Sequence, residues 1–198
     1  MINKRTQKLK KIRDEIWNLT NSPLYEYRKK NNYYPVIGEG SHFAKIVFIG
    51  EAPGKNEAET GRPFCGEAGR VLNQLLESVK IKHKDVYITN IVKDRPPSNR
   101  DPNPEEIKIY SPFLVKQLEI IKPKIIAALG RFSMEFIMKL YKLEDKLDKI
   151  SFLHGRVFET STSWGKIKII PFYHPAVALY NSNQLALLKN DFQTLINP

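Results

Sequence analysis

One cysteine, Cys65, stands in this 198-residue chain, alongside three methionines and two tryptophans. A lone thiol excludes an internal disulfide and any metal site built from several cysteines, and it suits a reducing interior. No run of about eighteen apolar residues is present, and no amino-terminal stretch has a secretory pattern. The expectation is a cytoplasmic protein with no membrane partner. The four histidines, His42, His83, His154 and His174, share no ligand spacing with carboxylates, so no metal triad is visible. Acids are scarce as well: 21 Asp and Glu face 32 Lys and Arg, a net charge of +11. Such a surplus fits a polyanionic partner, although a solvated lysine-rich surface gives the same number.

What is present is organised around residues 44–69, AKIVFIGEAPGKNEAETGRPFCGEAG. The apolar run Ile46–Ile49 predicts a short buried strand, which stops at Gly50-Glu51-Ala52-Pro53-Gly54. In an open α/β sheet a carboxylate in that turn lies at the edge where ligands bind. A second tight turn, Gly61-Arg62-Pro63-Phe64-Cys65-Gly66, carries an aromatic residue where a core side chain would be awkward.

Elsewhere the spacing of Leu9, Ile12, Ile16 and Leu19 predicts an amphipathic helix over 3–19, and residues 20–43 read as irregular. Helices are expected near 70–79, 104–121, 131–142 and 183–195, with Asn103 capping the second and Pro112 bending it. Strands are expected at 86–92, 124–129 and 166–171. The alternation predicts an α/β fold, a three-layer α/β/α sandwich around a four-stranded parallel sheet. One domain is expected over 1–198, with segment 1–19 packed upon it.

The polar oddities follow the strands: Glu51 after the first, Asn90 at the end of the second, His174 after the fourth. Gly50 to Lys55 resembles a phosphate loop, but its glycine spacing is one residue short and Asn56 stands where a Mg²⁺-binding hydroxyl is required. The remaining set suits a flat heterocycle. Phe64 can stack on a base, Asn90 can make two directional hydrogen bonds, and a neutral His174 can donate to an oxygen that becomes negative. With a basic surface, this is the equipment of an enzyme that flips a base out of nucleic acid. Singly, each residue also has a structural explanation: a strand-end Asn caps loops and a lone His is often a core residue.

At these positions the sequence resembles the family 4 uracil-DNA glycosylases, the iron–sulfur type. The matching stretches are GEAPG (50–54) with Glu57, GRPFCGEAG (61–69), VYITNIVKDRPPSNR (86–100), residues 111–130, HG (154–155) and YHPAV (173–177). They occur in family order and span about 17–195. The resemblance implies hydrolysis of the N-glycosidic bond of uracil in single- or double-stranded DNA, by a monomer, leaving an abasic site. It implies that Gly50, Glu51, Ala52 and Pro53 form the loop holding uracil and water, and that Phe64 stacks on the base. Asn90 then reads the uracil edge, His174 stabilises the departing anion, and Glu51 orients the attacking water. Arg95, Arg100, Leu179 and Tyr180 fall where the family meets DNA, Leu179 being the expected wedge. His154 stands where Arg is usual.

The family holds a cluster through four cysteines, and the corresponding residues here are Leu19, Ser22, Asp94 and Tyr110. None replaces a thiolate on iron, so no cofactor is expected, with Tyr110 packing on Leu19 and Asp94 pairing with a nearby cation. Two other readings stay open: a cluster-free DNA-binding relative with weak or no excision, and a glycosylase for another deaminated base such as hypoxanthine.

Overall fold

Three short runs, IVFIG, YITN and IIAAL, are almost entirely buried, as strands covered by helices on both faces must be. The computed structural model describes residues 3–196. Its strands are β1 (Glu39–Gly40), β2 (Ile46–Gly50), β3 (Tyr87–Asn90), β4 (Ile125–Leu129), β5 (Phe158–Thr162) and β6 (Gly165–Phe172). They form one sheet in the order β1-β3-β2-β4-β6-β5. The inner four, β3-β2-β4-β6, are parallel as expected, and β1 and β5 add antiparallel edges.

The helices are α1 (Lys4–Trp17), α2 (Tyr25–Lys30), α3 (Lys55–Thr60), α4 (Glu67–Ser78), α5 (Pro104–Ile121), α6 (Arg131–Leu140), α7 (Ile150–Leu153) and α8 (Ser182–Phe192). Alternate residues of each strand feed two cores. Val47, Ile49, Ile126, Ala128 and Ile169 pack with α1, α5 and α6 on one face. Phe48, Ile88, Ala127, Leu129 and Ile170 pack with α4 and α8 on the other. The three-layer sandwich follows from this alternation.

Local chemistry sets the ends. Asn103 and Glu106 form a reciprocal capping box, with Pro104 in the first turn of α5. This helix runs through Pro112 to Ile121. Leu9, Ile12 and Ile16 bury the apolar stripe of α1, which packs on α5. Two stretches differ from the sequence reading. Residues 20–43 contain α2 and β1, and β5 forms a hairpin with β6.

Candidate active site

The parallel strands end on one edge, and the register brings their terminal residues together: Gly50 pairs with Asn90, and Leu129 with Phe172. Glu51 and Asn90 are therefore at or just beyond the ends of adjacent strands β2 and β3, and His174 lies just beyond the end of β6, one strand further across β4. A cleft of about 190 Å³ opens here, with Glu51, Ala52, Pro53, Gly54, Pro96, Asn99, Arg100 and His174 lining it.

Phe64 enters this site from the second turn. Its φ of 48° is left-handed, unusual for a residue with a Cβ. Two features hold it there. A Cβ on Gly69 would lie 1.7 Å from the Phe64 carbonyl oxygen, so α4 approaches the turn only because residue 69 is glycine. Glu57 of α3 accepts hydrogen bonds from the main-chain N–H groups of Cys65 (3.1 Å) and Gly66 (3.0 Å). The Phe64 ring lies 5.6 Å from the His174 ring at 31°. A Cβ on Gly50 would meet Asn90 Oδ1 at 2.3 Å and the Phe64 ring at 3.0 Å, so the missing side chain is the space in which Asn90 and Phe64 converge.

His174 ends the last strand connection, and its Nδ1 accepts the N–H of Ala176 at 3.2 Å. An imidazole whose Nδ1 accepts carries its proton on Nε2 while neutral. Burial pushes the His174 pKa down to about 4, against the opposing pull of Glu57. At neutral pH the ring is thus an uncharged Nε2–H donor. Glu51 moves the other way: burial, reinforced by Asp101 and opposed by Arg131, pushes it up to about 7. A neutral donor and a carboxyl poised near neutrality share one cleft.

Asn90 rests on a residue that the sequence disguises. Lys93 reads as part of a cationic loop, yet it is 0% exposed. Its Nζ lies 2.7 Å from each of Asn90 O, Thr89 Oγ1 and Gln117 Oε1. The Thr89 hydroxyl gives its own proton to Ile37 O, so all three partners accept. Burial drives the Lys93 pKa well below its ordinary range.

The outer residues are more constrained than the sequence suggests. Arg100 makes a bidentate pair with buried Glu106 at 3.0 and 2.5 Å. Arg95 donates to Asn99 Oδ1 and to the Tyr33 hydroxyl, both at 2.8 Å. Leu179 packs partly on the core, whereas Tyr180 beside it is 97% exposed. The expected wedge, Leu179, is therefore the less projecting of the two. His154 Nδ1 lies 2.7 Å from Asp191 Oδ2 and belongs to a separate contact.

Three of the four positions implied for cluster ligands, Ser22, Asp94 and Tyr110, form a hydrogen-bonded network. The Tyr110 hydroxyl donates to Asp94 Oδ2 at 2.5 Å and lies 2.7 Å from Ser22 Oγ. Asp94 pairs with buried Arg28 at 3.1 Å, and Leu19 belongs to the same apolar core as Tyr110. Arg28 also donates to the carbonyls of Ile16 and Trp17 at the end of α1. A thiolate-bound cluster does not fit this set: the oxygens satisfy one another, and Cys65 is exposed in the Phe64 turn. Among the described residues no group of three or more His, Cys, Asp or Glu side chains is arranged to hold a metal ion. Nor is any helix long and apolar enough to cross a membrane.

Glu57, Lys93 and Asn99 are the site residues to which sequence reasoning gave no role. The available signal was position alone, a carboxylate three residues after Gly54 and a Lys three after Asn90.

The uracil DNA glycosylase superfamily's family model matches residues 37–197. A type-4 uracil-DNA glycosylase of Archaeoglobus fulgidus is 45% identical over 170 residues, covering 85% of this chain and 83% of its own length. Its counterparts in Sulfurisphaera tokodaii and Saccharolobus solfataricus are 42% and 43% identical, over 94% and 92% of this chain and 83% and 82% of their own lengths.

Proposed function

The chain belongs to the uracil DNA glycosylase superfamily, and from that premise we infer that it excises uracil from DNA, hydrolysing the base–sugar bond and leaving an abasic site. The base swings out of the strand into the cleft and stacks on Phe64, while Asn90 bonds its edge. The C1′–N1 bond breaks with its electron pair going to uracil, and negative charge gathers on the ring oxygens. His174 Nε2–H donates to that charge and stays neutral throughout. Water adds to C1′, positioned by Glu51, which takes its proton when ionised. The uracil anion later picks up a proton from solvent.

The observation that carries this reading is the Ala176 N–H to His174 Nδ1 bond, which fixes the proton on Nε2. A donor aimed at developing charge needs no reorganisation as the bond breaks. Single-turnover excision from a U·G duplex, wild type beside His174→Ala, tests it. Removal of such a donor is expected to cost about 2.7–4 kcal/mol, roughly 10² to 10³ in rate. An unchanged rate would take His174 out of the mechanism, and no wild-type excision with DNA still bound would favour a binding role.

Tyr180, by its projection, fits a wedge entering the duplex. The protein is proposed to act as a cytoplasmic monomer on single- and double-stranded DNA without an iron–sulfur cluster, the network around Asp94 serving in its place.

A further inference from the structure

A second concavity, about 290 Å³, lies where α1 ends and α2 turns back, apart from the cleft. Its walls include Trp17, Tyr25, Arg28, Lys29, Tyr33 and Tyr34. Trp17 is 50% exposed and Tyr34 47%, with ring centroids 5.8 Å apart. Exposed aromatics are ordinary singly, but two rings grouped with cations form the kind of platform on which bases stack.

The wall is rigid. Arg28 donates to the Trp17 carbonyl at 2.7 Å, pairs with Asp94 and lies 5.1 Å over the Tyr25 ring. Its guanidinium is satisfied by these contacts, so Lys29 is the cation of the wall suited to a phosphate. Through Arg28, which lines the hollow, the Ser22–Tyr110–Asp94 network is tied to its wall.

Arg95 joins it to the cleft. One guanidinium donates to Tyr33 in the hollow's wall and to Asn99 in the cleft's lining. A strand whose base occupies the cleft can run across Arg95 into the hollow. We propose that the Trp17–Tyr34 hollow binds an unpaired nucleotide of the strand that carries the target base, stacking its base on Trp17 and placing its phosphate at Lys29. This rests on the reading of the protein as a DNA glycosylase and adds a strand preference to it. The net charge of +11 supplies the complementarity, and a base paired in a duplex has no free face to offer, so the hollow favours single strands.

Trp17 and Trp164 are the two tryptophans. In a Trp164→Phe background, a uracil-free oligothymidylate is expected to quench Trp17 emission, and a duplex of equal length to quench it much less. Trp17→Ala and Tyr34→Ala are each expected to weaken binding of that oligothymidylate about 10-fold while altering duplex affinity less than about 2-fold, and Trp17→Phe to retain most of the single-strand affinity. Equal losses on both substrates, no loss on either, or bound single strand without quenching would overturn the proposal; loss with Trp17→Phe equal to that with alanine would do the same. Excision from both substrates by each variant is measured in parallel. Excision without strand selectivity sinks this proposal alone, whereas selective stacking by a protein that excises nothing sinks the glycosylase reading and leaves this one standing.

Discussion

The amine of Lys93 is buried between the end of β3 and α5, 2.7 Å from the main-chain carbonyl of Asn90, the residue proposed to read the base. Because its three partners only accept, the site calls for three N–H donors. Lys93→Met would keep most of the volume and strand three acceptors. A loss of about 3 kcal/mol in unfolding free energy is expected, of the order left by a few unsatisfied buried groups. Discrimination between uracil and cytosine should also slacken as Asn90 shifts. Chemical denaturation and paired excision assays check both, and full stability in the variant would show that the acceptors find other donors.

Glu51 predicts a pH profile. With its carboxyl pushed up to about 7, excision that uses the ionised form should rise through that pH and level off above it. Asp101→Asn removes a raising influence and should move the midpoint down, and Arg131→Ala removes the lowering one and should move it up. For stability the sign is opposite to that of a salt-bridged acid. The folded state binds the extra proton between the ordinary glutamate range and about pH 7, so unfolding free energy falls as pH rises through that window. Glu51→Gln should abolish the activity limb and that part of the stability slope. Rate–pH profiles of the four proteins that keep their midpoint unmoved would detach Glu51 from the chemistry.

Gly69 predicts a steric effect on the stacking ring. A methyl group would press on the Phe64 carbonyl, so Gly69→Ala should cost about 1–3 kcal/mol, as overpacking does. Phe64 would be displaced with its turn, and excision should fall by more than the stability loss explains. Thermal melts beside saturating single-turnover rates separate the two.

Tyr180 predicts the reverse of the aromatic hollow. Standing 97% exposed, it supports no core contact, and Tyr180→Ala should change stability by less than about 0.5 kcal/mol. As a wedge it should matter for opening a duplex and hardly at all for a strand already open. Equal effects on single- and double-stranded uracil substrates would remove it from that role.

How much of this the sequence disclosed depended on burial symmetry. The runs at 46–49, 87–90 and 125–129 were legible because strands covered on both faces are continuously apolar. The edge strand Phe158–Thr162, FETST, was not, since only alternate residues are partly covered and Thr and Ser do not mark a core. The six-residue helix Tyr25–Lys30 is too short and too polar to show a period. In the site, Glu51, Asn90 and His174 stood out as polar residues ending apolar runs. Lys93 looked like a solvated charge within KDRPPSNR, and only the partners brought by α5 and β3 reveal that it is buried. The pairing of Asp94 with a cation was legible from its place among the expected cluster positions, and only the identity of Arg28 was not.

The Arg28–Asp94–Tyr110–Ser22 network has one more consequence. A junction made of side chains alone is finished when the polypeptide leaves the ribosome. In the proposed cluster-free protein it draws on no iron or sulfide supply, needs no assembly machinery, and offers peroxide nothing to strip away. The tie between the first helix and the loop beyond Asn90 would therefore hold in a cell under the oxidative stress that damages its DNA.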